Sequence, residues 1–177
     1  MLDRLPETVR NKALTAGAGR WLELLPAVVA DLERRWSISV GAIYADATEA
    51  LVAEVETAAG GAAVLKVLVP HNDRVLDEVT ALELMGGRGC VELLRSDRRL
   101  GAMLLERLGR PLVELGIPLT RRLEILASLA STVWRPAADS GLPTGADRAQ
   151  QLMTRIESLW TALDRPCTEA AVSQAMA

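Results

Sequence analysis

Lys66 stands in the run Ala63-Val64-Leu65-Lys66-Val67. An ammonium group between apolar neighbours needs a polar partner, a ligand, or a stem that reaches water. It is also conspicuous in composition, because Lys12 and Lys66 are the only lysines among 20 basic residues. Two carboxylates follow at a distance that one helix can span, Glu78 and Glu83. Both flank the apolar stripe of that helix, so periodicity does not separate them, and either also suits a solvated surface. The single histidine lies in His71-Asn72-Asp73. This triplet reads as a helix N-terminus, with Asn72 or Asp73 as the cap and the acid favourable to the helix dipole. Cys90 and Cys167 are far apart and form no CxxC, which with one histidine argues against a zinc site. They fit free thiols in a reducing compartment, hence the cytoplasm.

The elements that must position these groups follow from hydrophobic period. Residues 1–20 form a polar lead-in with a short helix ending at Gly17-Ala18-Gly19. A helix around Leu24–Trp36 carries Val28, Val29, Leu32 and Trp36 on one face, with Pro26 suited to its first turn. From Ser37 the period becomes two. Ile38, Val40, Ala42 and Tyr44 alternate with Ser37, Ser39, Gly41 and Ile43, and after Asp46-Ala47-Thr48 come Leu51, Ala53 and Val55. Gly60-Gly61 turns into residues 62–69, which gives a three-stranded meander. A helix over 73–85 presents Val75, Leu76, Val79, Leu82 and Met85. Two further strands, within 91–94 and 100–105, are split by the turn Ser96-Asp97-Arg98-Arg99. Beyond Gly109-Arg110-Pro111 the pattern is helical. Thr120 caps a helix with Leu123, Leu126, Leu129, Ala130 and Val133, and Arg135-Pro136 ends it. After a loop over 136–147, a helix carries Leu152, Met153, Ile156, Leu159, Trp160 and Leu163. Asp164-Arg165-Pro166 breaks it, and Thr168 starts a last helix.

The fold class is therefore α+β. Three strands with a lysine in the third, a helix, two strands and a tight connector into helices is the order of a protein-kinase-like N-terminal lobe. Such a lobe has a five-stranded antiparallel sheet plus a helix, and helices of an incomplete C-terminal lobe follow it. The chain divides into an N-terminal helical segment, 1–36, a lobe with its hinge, 37–109, and a partial helical lobe, 110–177. In that order of elements the third-strand lysine holds the α- and β-phosphates of ATP and pairs with a glutamate of the next helix. Glu106-Arg107-Leu108-Gly109 is the hinge. With Leu105 as the last strand residue, the Glu106 C=O and Leu108 N–H face adenine. An ordinary strand-to-helix connector fits the same residues.

Several ordered stretches resemble the aminoglycoside phosphotransferase family, in particular its streptomycin-type and hydroxyurea-resistance kinases. They are Ala63-Val64-Leu65-Lys66, Glu78-Val79-Thr80-Ala81-Leu82-Glu83-Leu84, Gly87-Arg88-Gly89-Cys90-Val91-Glu92-Leu93-Leu94 and Gly101-Ala102-Met103-Leu104-Leu105-Glu106-Arg107-Leu108. Trp134-Arg135-Pro136, Gly141-Leu142-Pro143-Thr144-Gly145-Ala146 and Pro166-Cys167 extend the likeness to roughly residues 20–177. The resemblance implies ATP-dependent phosphorylation of a hydroxyl on an aminoglycoside-type antibiotic. It places the ATP-binding lysine at Lys66 and its ion-pair partner at Glu78, and implies ATP with Mg as the cofactor.

Two departures qualify that expectation. The loop Ala45-Asp46-Ala47-Thr48-Glu49-Ala50 has no glycine, and its two acids repel phosphates. Kinase chemistry also needs H-x-D-x-x-x-x-N and a further Asp for Mg²⁺. His71-Asn72-Asp73 matches only the start, with Glu78 in place of Asn, and stands in the wrong context directly after strand three. The chain is expected to stop before the catalytic loop, so that no catalytic residue and no Mg ligand lies in it and activity alone is negligible. Three readings compete: an N-terminal part of such a kinase, a non-catalytic kinase-like module that binds a nucleotide or a protein, and a small α+β domain with a snorkelling Lys66. A formal net charge of -3 suggests neither nucleic acid nor an anionic membrane as partner. No apolar run reaches the roughly 18 residues of a membrane span. The start MLDRLPETVR, with acids and no apolar core, is not read as a secretory signal. Partners are then a nucleotide and a small-molecule acceptor, with self-association expected through apolar helix faces of 110–177.

Overall fold

The computed structural model describes residues 4–70, 74–137 and 139–176. The chain forms two compact units, Met1–Ala137 and Ala138–Ala177. Among the described residues there are six α-helices and one five-stranded antiparallel sheet.

The sheet comprises β1 (Ile38–Ile43), β2 (Ala50–Thr57), β3 (Ala62–Leu68), β4 (Leu93–Asp97) and β5 (Ala102–Glu106), in the spatial order β1-β2-β3-β5-β4. Its two faces take different partners because side chains alternate along each strand. One face buries Leu51 and Val55 of β2, Ala63, Leu65 and Val67 of β3, and Ala102 and Leu104 of β5. They pack with Val9 and Ala13 of α1 (Glu7–Thr15) and Leu25, Val29, Leu32 and Trp36 of α2 (Gly19–Trp36). The other face holds Leu68, Met103 and Leu105 against Val79 and Leu82 of α3 (Arg74–Met85). Lys66 belongs to this second face, by the same alternation that buries Leu65 on the first.

Several local expectations change. α2 begins at Gly19, so Pro26 lies inside the helix rather than in its first turn. A proline there removes a backbone donor. Burial favours the longer helix, since Leu25 is fully buried and Trp21 and Leu22 pack on the core. Ser37 is a left-handed cap (φ 54°) rather than a strand residue, and its N–H donates to the Glu33 carbonyl. The β1–β2 register shifts between Val40 and Ile43, so Ile43 and not Ala42 packs on the core. On α3, Leu76 is 43% exposed instead of joining Val79 and Leu82.

The β4–β5 turn also moves. Ser96 and Asp97 are strand residues, and the chain reverses over Arg98–Gly101. The Asp97 carboxylate accepts from the N–H groups of Arg99 and Leu100, local bonds that start the turn two residues later. The next helical segment opens with a single 3-10 turn, Leu112–Leu115. α4 (Leu119–Val133) follows, with Pro118 and not Thr120 at its N-cap. Proline's fixed φ suits that boundary without a side-chain cap.

In the second unit, α5 (Gly145–Ala162) starts with a capping box. The Asp147 N–H donates to Thr144 Oγ1 (3.1 Å), and the Thr144 N–H donates to Asp147 Oδ2 (2.7 Å). α6 (Glu169–Ala175) is capped by Thr168, as its sequence predicts. The turn between them places Arg165 over the Trp160 ring, while Trp160 Nε1–H donates to the Cys167 carbonyl at 3.0 Å. No helix among the described residues is long and apolar enough to cross a membrane.

Candidate functional site

β3 lies between β2 and β5, with Lys66 opposite Val52 on one side and Met103 on the other. Both neighbours are apolar, so the ammonium must find its partner off the sheet. It does so on α3: Lys66 Nζ donates to Glu78 Oε1 at 2.5 Å. The pair is half-buried, with Lys66 26% and Glu78 35% exposed at the side chain.

Glu83 is engaged elsewhere. Arg98 in the β4–β5 turn reaches Glu83 Oε2 at 2.6 Å and Thr80 Oγ1 at 3.2 Å. α3 is thus tied to the sheet at two places, through Glu78 to β3 and through Thr80 and Glu83 to the β4–β5 turn.

Two residues before Lys66, on the same face of β3, Val64 lines a cleft of about 790 Å³. Val52, Val91 and Leu105 supply the rest of its apolar wall. The segment from Glu106 to Pro111 forms one margin, and Tyr44, Asp46 and Ala47 form the other. Glu106 and Leu108 are both on this margin. β5 runs one residue further than the sequence suggests: Glu106, not Leu105, is its last residue. Its N–H donates to the Glu92 carbonyl (3.0 Å) and its carboxylate accepts from the Glu92 N–H (3.0 Å). This two-way bond holds the segment after the strand at a fixed height beside the cleft.

The loop between β1 and β2 departs from a simple acidic patch. Asp46 does line the cleft, but Glu49 Oε1 is ion-paired with Lys12 Nζ at 3.1 Å. Thr8 Oγ1–H also donates to the Ala47 carbonyl at 2.9 Å. Only the rarity of lysine in the composition singles out Lys12 beforehand. A second group that sequence reasoning misses is Arg107, which bonds Glu54 Oε1 at 2.8 Å. Its guanidinium lies 5.7 Å from the centre of the Tyr44 ring. This links the margin after β5 to β2 and to the start of the β1–β2 loop.

His71, Asn72 and Asp73, expected as a helix N-terminus, lie outside the described residues. Among the described residues no three His, Cys, Asp or Glu side chains gather as metal ligands. Cys90 is half-buried and Cys167 exposed, both as free thiols.

Residues 35–176 match the family model described as aminoglycoside/hydroxyurea antibiotic resistance kinase. A hydroxyurea phosphotransferase from Kitasatospora aureofaciens is 44% identical over 92 residues, 51% of this chain and 27% of that protein. A streptomycin 6-kinase from Streptomyces glaucescens is 38% identical over 88 residues, 50% of this chain and 28% of that protein. The matched regions thus span little more than a quarter of the length of these relatives. No solved structure gives a significant match.

Proposed function

The chain belongs to the aminoglycoside/hydroxyurea antibiotic resistance kinase family, and on that footing we propose that residues 37–109 form a kinase-like lobe whose cleft holds ATP. The observation that carries this reading is the Lys66–Glu78 pair on the same sheet face as the apolar cleft.

Each group has a physical task. Val52, Val64, Val91 and Leu105 offer the flat apolar walls that an adenine ring requires. The Glu106 carbonyl and Leu108 N–H pair with the polar edge of that ring. Lys66 neutralises α- and β-phosphate charge, and Glu78 keeps its ammonium aimed between the apolar strands. The acceptor is a small molecule with a hydroxyl group, of the aminoglycoside or hydroxyurea type named for the relatives. ATP in this chemistry carries Mg²⁺.

The sequence contains no complete H-x-D-x-x-x-x-N. The reading therefore splits binding from chemistry: these 177 residues hold the nucleotide from the small-lobe side and do not by themselves transfer its γ-phosphoryl group. A non-catalytic nucleotide-binding module shares the same binding prediction and is favoured by that missing signature alone.

Calorimetric titration with ATP tests the site. We expect binding that Lys66→Met weakens about tenfold while adenosine affinity is retained, since removing one charge contact to phosphate is worth about 1.4 kcal/mol. Equal ATP affinity in the variant removes the assignment. Turnover of streptomycin or hydroxyurea with ATP by the 177-residue chain overturns the inactivity.

A further inference from the structure

We infer that α1 is a clamp that positions the loop between β1 and β2 for the phosphates of the bound nucleotide, with Thr8 and Lys12 as positioning residues. The inference rests on the nucleotide reading above. It concerns a helix that lies before the family-matched residues 35–176.

The loop poses a physical problem. A phosphate-facing loop usually relies on glycines, whose small size and backbone freedom let N–H groups approach the anion. Residues 45–49 contain no glycine and carry Asp46 and Glu49. Such a segment cannot adapt easily, and free carboxylates there repel phosphate. It needs to be held in one path, with its charge drawn aside.

α1 does both. Val9 and Ala13 are fully buried in the core, which anchors the helix to the sheet. From that base Thr8 Oγ1–H donates to the Ala47 carbonyl at 2.9 Å, and Ala47 itself lines the cleft. One turn along the helix, Lys12 Nζ holds Glu49 Oε1 at 3.1 Å. The two contacts cross 39 and 37 residues of sequence and land two residues apart on one loop. The Tyr44 N–H to Val52 carbonyl bond (2.9 Å) and the Val69 N–H to Glu49 carbonyl bond (3.1 Å) fasten the loop's two ends to the sheet. Thr8 and Lys12 add their two contacts between those ends.

Thr8 and Lys12 sit on the outside of α1, so Thr8→Val and Lys12→Met leave the buried Val9 and Ala13 in place. We expect the double variant to bind ATP about fivefold more weakly, the loss of one neutral hydrogen bond and one exposed ion pair. Its affinity for adenosine, which has no phosphate, should be unchanged. Lys12→Arg should behave as wild type, because it keeps the cation that holds Glu49. A parallel loss for ATP and adenosine, or no loss for either, overturns the proposal.

Hydrogen–deuterium exchange of residues 45–49 without nucleotide separates the clamp from the site. Faster exchange in the double variant is expected, and unchanged exchange overturns the clamp. A wild-type chain that binds no ATP removes the nucleotide reading, while the exchange result still decides whether α1 holds the loop.

Discussion

Lys66 of β3 and Glu78 of α3 meet at 2.5 Å across the face of the sheet that carries the cleft. Twelve residues apart in sequence, they are brought together by a strand and a helix packed face to face. Glu83, five residues further along the same helix, points to Arg98 instead.

Glu78→Gln should therefore weaken ATP binding about threefold to tenfold, because a neutral amide holds the ammonium less firmly. Glu83→Gln should leave ATP affinity within a factor of about two, since its partner is at the β4–β5 turn. Parallel calorimetry on the two variants checks this, and an equal effect from both would contradict the assignment. The stability change should stay below about 1 kcal/mol for either, given how open both pairs are to water.

Val64→Trp should fill the apolar cleft while leaving the buried Ala63 and Leu65 on the opposite face untouched. We expect at least about a tenfold loss of both ATP and adenosine affinity, from steric exclusion. The thermal midpoint should move by only a few degrees, on the order of 1 kcal/mol in a chain of this size. Retained adenosine binding would place the nucleoside elsewhere.

Asp97 should couple stability to pH. Burial pushes its carboxyl upward, but the Arg35 guanidinium at 2.7 Å and the N–H groups of Leu100 and Arg99 outweigh that and hold it below the usual carboxylate range. A depressed carboxyl contributes stability that is present above its unfolded value of about 4 and lost as pH falls through the lower folded value. Asp97→Asn should cost about 1 kcal/mol at pH 7, modest because Arg35 is 44% exposed. It should also flatten the acid limb of a urea-midpoint profile below about pH 4. An acid limb of wild-type steepness in the variant would show that other carboxylates control it.

Gly89→Ala should be destabilising by about 1–2 kcal/mol, read as a lower urea midpoint at unchanged slope. Gly89 has φ +75°, and a Cβ there would sit 3.1 Å from both Thr132 Cγ2 and Val133 Cγ1 of α4. The turn after α3 can approach α4 only without a side chain. A variant as stable as wild type would mean that α4 yields freely.

Much of the sheet is legible from period alone. Leu51, Ala53 and Val55 alternate inward as expected, and in β3 Ala63, Leu65 and Val67 are buried in the same alternating way. Both strands pair on two sides, so their pattern suffers no local exception. β1 is an edge strand with a register shift, and there the simple alternation misassigns Ala42 and Ile43. Pro26 misleads for a different reason: its backbone cost is local, whereas the burial of Leu25 that outweighs it depends on α2 meeting the sheet. The contacts of Thr8, Lys12, Glu54 and Arg107 carry no sequence signal beyond charge, because each partner is distant along the chain.

By itself the amino-acid sequence determined that a lysine sits between apolar neighbours in a strand and that a helix with two candidate glutamates follows. Strand alternation and helical period are short-range properties, so a one-dimensional pattern suffices to express them. Tertiary structure decided which glutamate answers Lys66. Glu78 and Glu83 flank the same stripe, so period does not separate them; the resemblance points to Glu78, and the packing of α3 on the sheet, with Arg98 claiming Glu83, makes that pair. It also decided that the acidic loop beside the cleft is braced by a helix more than thirty residues upstream, because an ion pair requires proximity in space and leaves no period in the chain.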